Sequence, residues 1–284
     1  MPQIGKLVIC PTPLGNLGDM SARALDALRE ADTVCAEDTR VTGKLLSAFG
    51  ISKRLERLDE QALSSQAERI AERVADGETI AYCSDAGMPG VSDPGLRLVR
   101  AAQDAGVPVE VLPGPTAVAT AYVASGIECP RFYFGGFFPR KASERIEALN
   151  QLKSLDAALL FYESPRRVAS ALAAIAEAYP EREVAVCREL TKLHEEVVRG
   201  QVGEVAAAFA ERDHAGTLKG EIVIVVSNPP EQEGAAVRKD ALETARSRAA
   251  ELKAEGGHSK KDIASIIQTE FGIARNDAYA IAIG

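Results

Sequence analysis

Nothing in the 284-residue chain approaches the roughly 20 consecutive apolar residues that cross a bilayer, which argues against a helical membrane protein. The N-terminus enters a strand-like stretch directly and has no signal-peptide pattern, so a cytoplasmic protein is expected. There is no C-x-x-C pair. The five cysteines (Cys10, Cys35, Cys83, Cys129 and Cys187) stand far apart, and their odd number argues against a full set of internal disulfides. Cys10, Cys83 and Cys187 fall in or at the ends of strand-like runs, where cysteine acts as a small buried hydrophobe. The three histidines, His194, His214 and His258, are scattered. His194-Glu195-Glu196 lacks the second histidine of an H-E-x-x-H site, since position 198 is Val, and reads as strand edge; no metal is expected. An excess of positive charge is missing too. With 33 basic against 41 acidic side chains the chain carries −8, so any nucleic-acid contact has to come from local basic patches.

Phosphate-binding motifs are also absent. Gly43-Lys44 imitates the end of a P-loop, but Leu45 stands where Ser or Thr belongs and Asp38 where the upstream glycine belongs. The segment 11–18, P-T-P-L-G-N-L-G, is not G-x-G-x-x-G. A nucleoside triphosphate or dinucleotide site is therefore not expected, and no internal repeat or low-complexity tract occurs.

What is present is the balance of a soluble globular protein, 46% hydrophobic and 26% charged, and a length that favours about two domains. Residues 1–116 alternate strand and helix signals: strands over 6–10, 33–36, 78–83 and 107–112, helices over 21–31, 42–49, 64–76 and 93–105. That alternation predicts a mostly parallel sheet. A small alanine-rich helix over 116–125 leads into a second α/β section, 117–228, with strands at 131–135, 157–162, 183–187 and 221–227 and helices at 143–152 and 165–178. The N-P-P-E-Q-E-G run marks a linker over 229–237. Residues 238–284 read as a helical extension broken at Gly256-Gly257 and turning again at 271–273.

The densest signal lies between Tyr82 and Ala121. Two apolar runs there end in glycine- and proline-rich turns, S-D-A-G-M-P-G and P-G-P-T, with one short helix between them. Glycine permits positive φ and close backbone approach, and proline stiffens the path. In parallel α/β sheets the loops at the strand carboxyl ends bind ligands. Two rigid loops of this kind predict a small-molecule pocket lined mainly by backbone.

Other segments join them: P-T-P-L-G-N-L-G-D-M-S from Pro11, A-E-D-T-R at 36–40, G-F-F-P-R-K at 136–141, F-Y-E-S-P-R-R at 161–167 and C-R-E-L-T-K at 187–192. In this order the chain resembles the 16S rRNA cytidine 2′-O-ribose methyltransferases of the tetrapyrrole-methylase superfamily, over roughly residues 5–227. The resemblance implies a two-lobed class III methyltransferase α/β fold followed by a variable helical extension. It implies S-adenosylmethionine as cofactor, 16S rRNA in the small ribosomal subunit as partner, and a homodimer. Its cofactor pattern carries onto Pro13, Leu14, Ser84, Asp85, Met88, Thr116, Ala117, Tyr162 and Glu163, with Leu190 and Gly220 in addition.

Methylating a ribose hydroxyl needs orientation and benefits from a positioned base. Asp38 is the expected base, with Glu37 and Glu163 as rivals; a capped helix start accounts for Asp38 equally well. Glu37 and Arg40 are also candidates for holding substrate. The stretch 131–145 holds five of the 14 aromatic residues beside Arg140, Lys141 and Arg145. Aromatics with arginine suit stacking on unpaired RNA bases. Phe132–Phe134 are expected in the core, and Phe137-Phe138-Pro139-Arg140-Lys141 at the substrate side. Arg166 and Arg167 fall at a helix N-terminus, where the macrodipole disfavours cations, so an anionic partner competes with a solvated face. The extension is mildly basic up to residue 261, with Arg238, Lys239, Arg246, Arg248, Lys253, Lys260 and Lys261 outnumbering its acids. Its end fits either an RNA-contacting helix–turn–helix or a small packed hairpin. Two other readings stay open: a methyltransferase for a tetrapyrrole or other small molecule, and a non-catalytic RNA-binding protein on the same scaffold.

Overall fold

The computed structural model describes residues 5–284, and the backbone alone of residues 231–240. The first four residues of the expected N-terminal strand-like entry lie outside it. The first lobe contains β1 (Leu7–Ile9), α1 (Ala22–Glu30), β2 (Thr33–Ala36), α2 (Thr39–Ala48), β3 (Leu55–Arg57), α3 (Glu60–Ala75), β4 (Ile80–Cys83), α4 (Leu96–Asp104) and β5 (Val109–Val111). Its five strands lie in the order β3-β2-β4-β1-β5 and pair in parallel throughout. Side chains alternate between faces, as a period of two dictates. Leu7, Ile9, Ile80 and Tyr82 pack under α3 and α4, whereas Val8, Cys10, Ala81 and Cys83 pack against α1 and α2.

After β5 the chain leaves this sheet. Thr116 caps α5 (Ala117–Ser125), whose Val118 and Ala121 pack on a second sheet. That sheet has the order β6-β7-β10-β8-β9. Its strands are β6 (Phe132–Phe137), β7 (Ala158–Glu163), β8 (Glu183–Arg188), β9 (Glu196–Gln201) and β10 (Ile222–Val226). Only β6 and β7 pair in parallel; β10 runs antiparallel to both β7 and β8. Helices α6 (Ala142–Leu152), α7 (Val168–Ala178) and α8 (Val202–His214) bury the face carrying Leu159, Phe161, Val186 and Ile224.

The expected linker over 229–237 is shorter than the sequence implied, because α9 (Glu231–Glu255) begins at Glu231. Proline at 229 and 230 stops the strand but does not prevent a helix from starting just after it. With α10 (Lys260–Phe271) and α11 (Arg275–Ile283), α9 forms a three-helix unit around its own core of Ala245, Ala249, Ile263, Ile267, Ala278 and Ala282. The second half is therefore a packed hairpin laid on α9. Ser259 and Asp262 form a capping box at the start of α10, and Gly272 ends it at φ +62°. The side chains of Arg238, Lys239 and Asp240, counted in the basic stretch, lie outside the description. No helix among the described residues is long and apolar enough to cross a membrane, and no group of three metal-ligating side chains occurs among them.

Candidate active site

Parallel pairing puts the loops after β1, β2, β4 and β5 at one edge of the first sheet. Two of these loops are zipped together: Thr12 and Gly87 exchange backbone hydrogen bonds at 2.9 and 3.0 Å, and Thr12 Oγ1 donates to the Ser84 carbonyl at 3.2 Å. Gly87 stands at φ +79°, and a Cβ there would lie 3.1 Å from Leu14 Cδ2. At Gly114 a Cβ would come within 2.3 Å of Pro11 Cγ, so the P-G-P turn reaches the first loop only because it has no side chain there.

The second lobe meets this edge with the ends of β7 and β8 and the start of β10. Antiparallel pairing brings them together, since Ile222 lies opposite both Glu163 and Arg188. Among the described residues, the non-glycine positions with positive φ are Ser92, Glu189 and Thr191, at 60°, 51° and 67°. All three belong to the turns bordering this junction. Each such conformation costs about 1–3 kcal/mol and is characteristic of ligand sites.

Between the lobes lies a cavity of 340 Å³, within the span of about 300–1,000 Å³ usual for small-molecule sites. Leu14, Met88, Thr116, Ala117, Tyr162, Glu163, Leu190 and Gly220 line it. Three expected cofactor residues do not. Pro13 lies beside the lining, and Ser84 is fully buried behind it. Asp85 points away: its Oδ1 accepts from the Asp38 N–H at 3.0 Å, while its own N–H donates to Glu37 Oε2 at 3.5 Å. Asp85 thus ties the β2 and β4 loops together, and its neighbours Ala86 and Gly87 line the cavity in its place.

The donor set suits S-adenosylmethionine. Leu14, Met88, Val91, Leu190 and Val223 provide apolar walls, and no lysine or arginine among the described residues lines the space. Glu163 is buried, and its Oε2 has no hydrogen-bond partner among the described residues. A buried acceptor left unmade is costly, and an amino group of the cofactor would satisfy it. The first turn of α5, at Thr116 and Ala117, offers free backbone N–H groups to a carboxylate.

Of the expected substrate residues, Phe137 both lines the cavity and stands 62% exposed. A bulge between Phe134 and Phe137, with Gly136 at φ +69°, shifts the register so that Phe137 ends the strand opposite Tyr162, whose ring it meets edge-on at 5.5 Å. Arg140 and Arg166 are exposed and have no ion-pair partner among the described residues. Lys141 pairs with Glu144 at 2.8 Å. Several expectations fail here. Phe132 and Tyr133 are 45% and 42% exposed, because β6 is an edge strand, whereas Phe138 is buried against Phe161. Arg145 is buried too, donating to the Pro139 carbonyl and Ser170 Oγ at 2.8 and 3.0 Å. Arg167 is held by Glu163 at 2.5 Å, and its Nη1 is buried without a hydrogen-bond partner among the described residues.

The expected base, Asp38, caps α2: its Oδ1 accepts from the Arg40 N–H at 2.8 Å, and its Oδ2 pairs with Arg40 Nη2 at 2.6 Å. Arg40 therefore holds the Asp38 carboxyl well below the usual carboxylate range, which makes it a poor proton acceptor. Burial, and then the charge of Asp85, push Glu37 up; burial pushes Asp85 up as well. Asp93, absent from the sequence-based candidates, lines the cavity and is pushed up to about 7, first by burial and then by the charges of Glu37 and Asp85. Its motif, S-D-P-G, matches a helix start in the sequence, but α4 begins only at Leu96 and Asp93 stays in the loop. Ser164, Pro165, Cys187 and Glu221 complete the lining and were also not foreseen.

The sequence profile of the tetrapyrrole (corrin/porphyrin) methylases matches residues 6–206. The chain is 39% identical over 280 residues to "Ribosomal RNA small subunit methyltransferase I" of Escherichia coli O157:H7, covering 98% of this chain and 95% of that protein. The protein of the same name from Halalkalibacterium halodurans is 38% identical, with 98% and 94% covered. Among solved structures, diphthine synthase superposes with a TM-score of 0.61 at 16% identity, over 82% of this chain and 94% of that one. The methyltransferase CobJ gives 0.59 at 19% identity, over 79% and 94%. The two-lobed fold is thus shared with these structures, and the chain belongs to the tetrapyrrole methylase family, on its ribosomal RNA small subunit methyltransferase I branch.

Proposed function

We propose that this protein methylates the 2′-hydroxyl of a cytidine in the 16S rRNA of the small ribosomal subunit, with S-adenosylmethionine as donor. The observation that carries this reading is Phe137, exposed at the mouth of the cleft and lining its interior, with Arg140 and Lys141 three and four residues on. An aromatic face with adjacent cations is how proteins hold an unpaired base and its phosphates. The names of the closely similar relatives support an rRNA substrate.

Bound S-adenosylmethionine supplies an electrophilic methyl group on a sulfonium centre. This chain's residues hold and orient: Thr116 and Ala117 with backbone donors, Glu163 Oε2 as acceptor, and Leu14, Met88 and Leu190 as apolar walls that exclude water. The acidic lining of Asp93, Glu163 and Glu221 favours a cationic donor over an anionic one. Phe137, Arg140, Lys141 and Arg166 position the RNA, with Glu37 and Arg40 of the β2 loop as further substrate contacts.

A homodimer in the cytoplasm belongs to the same reading. Val123 is 77% exposed next to Tyr122, whose ring meets Phe132 at 4.9 Å, so an apolar patch lies open on α5 and the β6 edge. The test of function is transfer of labelled methyl groups to small subunits, free 16S rRNA and uroporphyrinogen, followed by nucleoside analysis. 2′-O-methylcytidine is the expected product. Label on the porphyrin or on a base overturns the assignment, and absence of cofactor binding in calorimetry favours a non-catalytic RNA-binding protein.

A further inference from the structure

Three carboxylates line the cavity, and two are already engaged. Glu163 Oε1 accepts from the Ser164 N–H at 2.6 Å and pairs with Arg167 at 2.5 Å. Glu221 pairs with Lys192 Nζ at 3.0 Å and is 76% exposed at its side chain. The third, Asp93, has no ion pair among the described residues. Outside the lining, Asp38 is neutralised by Arg40, while Glu37 and Asp85 are joined to each other's loops through backbone N–H groups.

The backbone holds Asp93 firmly. Ser92 before it is at φ 60°, and Pro94 after it confines Asp93 to extended conformations. The loop closes on itself through Gly90 N–H to the Pro94 carbonyl at 3.1 Å and Val91 N–H to the Met88 carbonyl at 3.2 Å. A Cβ on Gly95 would lie 3.2 Å from Gly90 N, so the two limbs of the loop touch. This closed loop presents Asp93 to the same space as Met88, Thr116 and Tyr162.

We propose that Asp93 is the catalytic carboxylate of this cleft and takes the proton from the ribose hydroxyl as that oxygen is methylated. The inference rests on the methyl-transfer reading above. As the carboxylate accepts the proton, the hydroxyl oxygen uses a lone pair to form the new O–CH₃ bond. The electron pair of the breaking S–CH₃ bond stays on sulfur, which leaves as the neutral thioether. The groups facing Asp93 set its strength as a base. Glu37, Asp85 and Glu221 raise its proton affinity by their charge, burial raises it most, and the Ser84 hydroxyl works against them. Asp93 in turn adds to the rise of the Tyr162 phenol, pushed up to about 12 mainly by burial. The outcome for Asp93 is a group near 7, half-protonated at neutral pH and matched to general-base work there. A cation bound in the same cavity favours the ionised carboxylate, so loading the cofactor near pH 7 drives a proton off Asp93.

The experiment joins two readouts. In the first, S-adenosylmethionine binding is measured by calorimetry at pH 7 in buffers of different ionisation enthalpy. Wild type is expected to release up to about half a proton per site, and Asp93→Asn none. In the second, single-turnover methylation of small subunits is followed from pH 5.5 to 9. At saturating cofactor, Asp93→Asn should lose at least about 100-fold in rate and the rising acidic limb, while Asp93→Glu should restore part of the rate and the limb. The assignment is overturned if Asp93→Asn keeps the wild-type rate and limb. It is also overturned if wild type, which needs no variant to fold, binds cofactor without releasing a proton. A wild-type protein that binds cofactor but methylates no subunit would instead bring down the functional reading itself, and this inference with it.

Discussion

Glu163 and Arg167 form an ion pair inside the second lobe, Oε1 to Nη2 at 2.5 Å, with the carboxylate side chain fully buried and the guanidinium 25% exposed. The pair links the end of β7 to the start of α7 and leaves Oε2 of this cavity-lining residue without a hydrogen-bond partner among the described residues. Removing one partner strands the other. Arg167→Ala should lower unfolding free energy by about 3 kcal/mol, because it leaves an uncompensated buried charge. Urea denaturation measures the loss, and cofactor Kd should rise as Glu163 reorients.

Phe137 separates RNA handling from cofactor handling. Phe137→Ala should raise the KM for small subunits about tenfold, in line with about 1–3 kcal/mol per stacked base. Arg140→Ala should act in the same direction and leave cofactor Kd unchanged. Steady-state kinetics with titrated subunits, paired with calorimetry, checks both.

Gly87→Ala should weaken cofactor binding. At φ +79° an alanine is strained by about 1–2 kcal/mol, and its Cβ would press Leu14 at 3.1 Å and the Pro115 carbonyl at 3.5 Å. Leu14 lines the cavity and Pro115 precedes Thr116, which lines it too, so a rise in Kd together with a lowered Tm is expected in calorimetry and thermal melting.

Arg73 bridges Glu56 at 2.6 Å and Glu78 at 2.7 Å beneath the first sheet. Hydrogen bonds from Arg73, and then from Thr33, hold the Glu78 carboxyl below its ordinary 4.5. A depressed carboxyl contributes stability that is complete above that ordinary value and disappears as pH falls through the folded value. Glu78→Gln should therefore be about 2 kcal/mol less stable than wild type at pH 6, and the gap should close toward pH 3. Denaturant midpoints across this range test the sign.

All five cysteines are buried and free. Burial pushes the Cys35 and Cys187 thiols up to about 12 each, so little reactive thiolate exists at pH 8. Native protein should react negligibly with a disulfide reagent, and all five thiols should react after denaturation.

Local chemistry made much of the fold legible. Ser21 and Thr116 cap α1 and α5 as their types demand, and β2 matches its predicted range from Thr33 to Ala36. β3 escaped notice because R-L-E-R is an edge strand with little burial. α8, outside the sequence-predicted helices, carries Val202, Val205 and Phe209 at helical spacing on its buried face. Asp59 and Asp38 start α3 and α2 earlier than the apolar periodicity does, since caps precede the buried face.

By itself the sequence determined the loops, because glycine, proline and capping side chains act within a few residues. Leu14, Met88, Thr116, Tyr162 and Leu190, which line the cavity, came instead from the resemblance of its motifs to a known family. Which acid stands free was decided only by tertiary structure. Asp38, Glu163 and Glu221 find cationic partners on folding, and Asp93 finds a second lobe laid over it and the charges of Glu37, Asp85 and Glu221 acting on it. Proton affinity depends on desolvation and on charges distant in sequence, and neither exists until the two sheets close on each other.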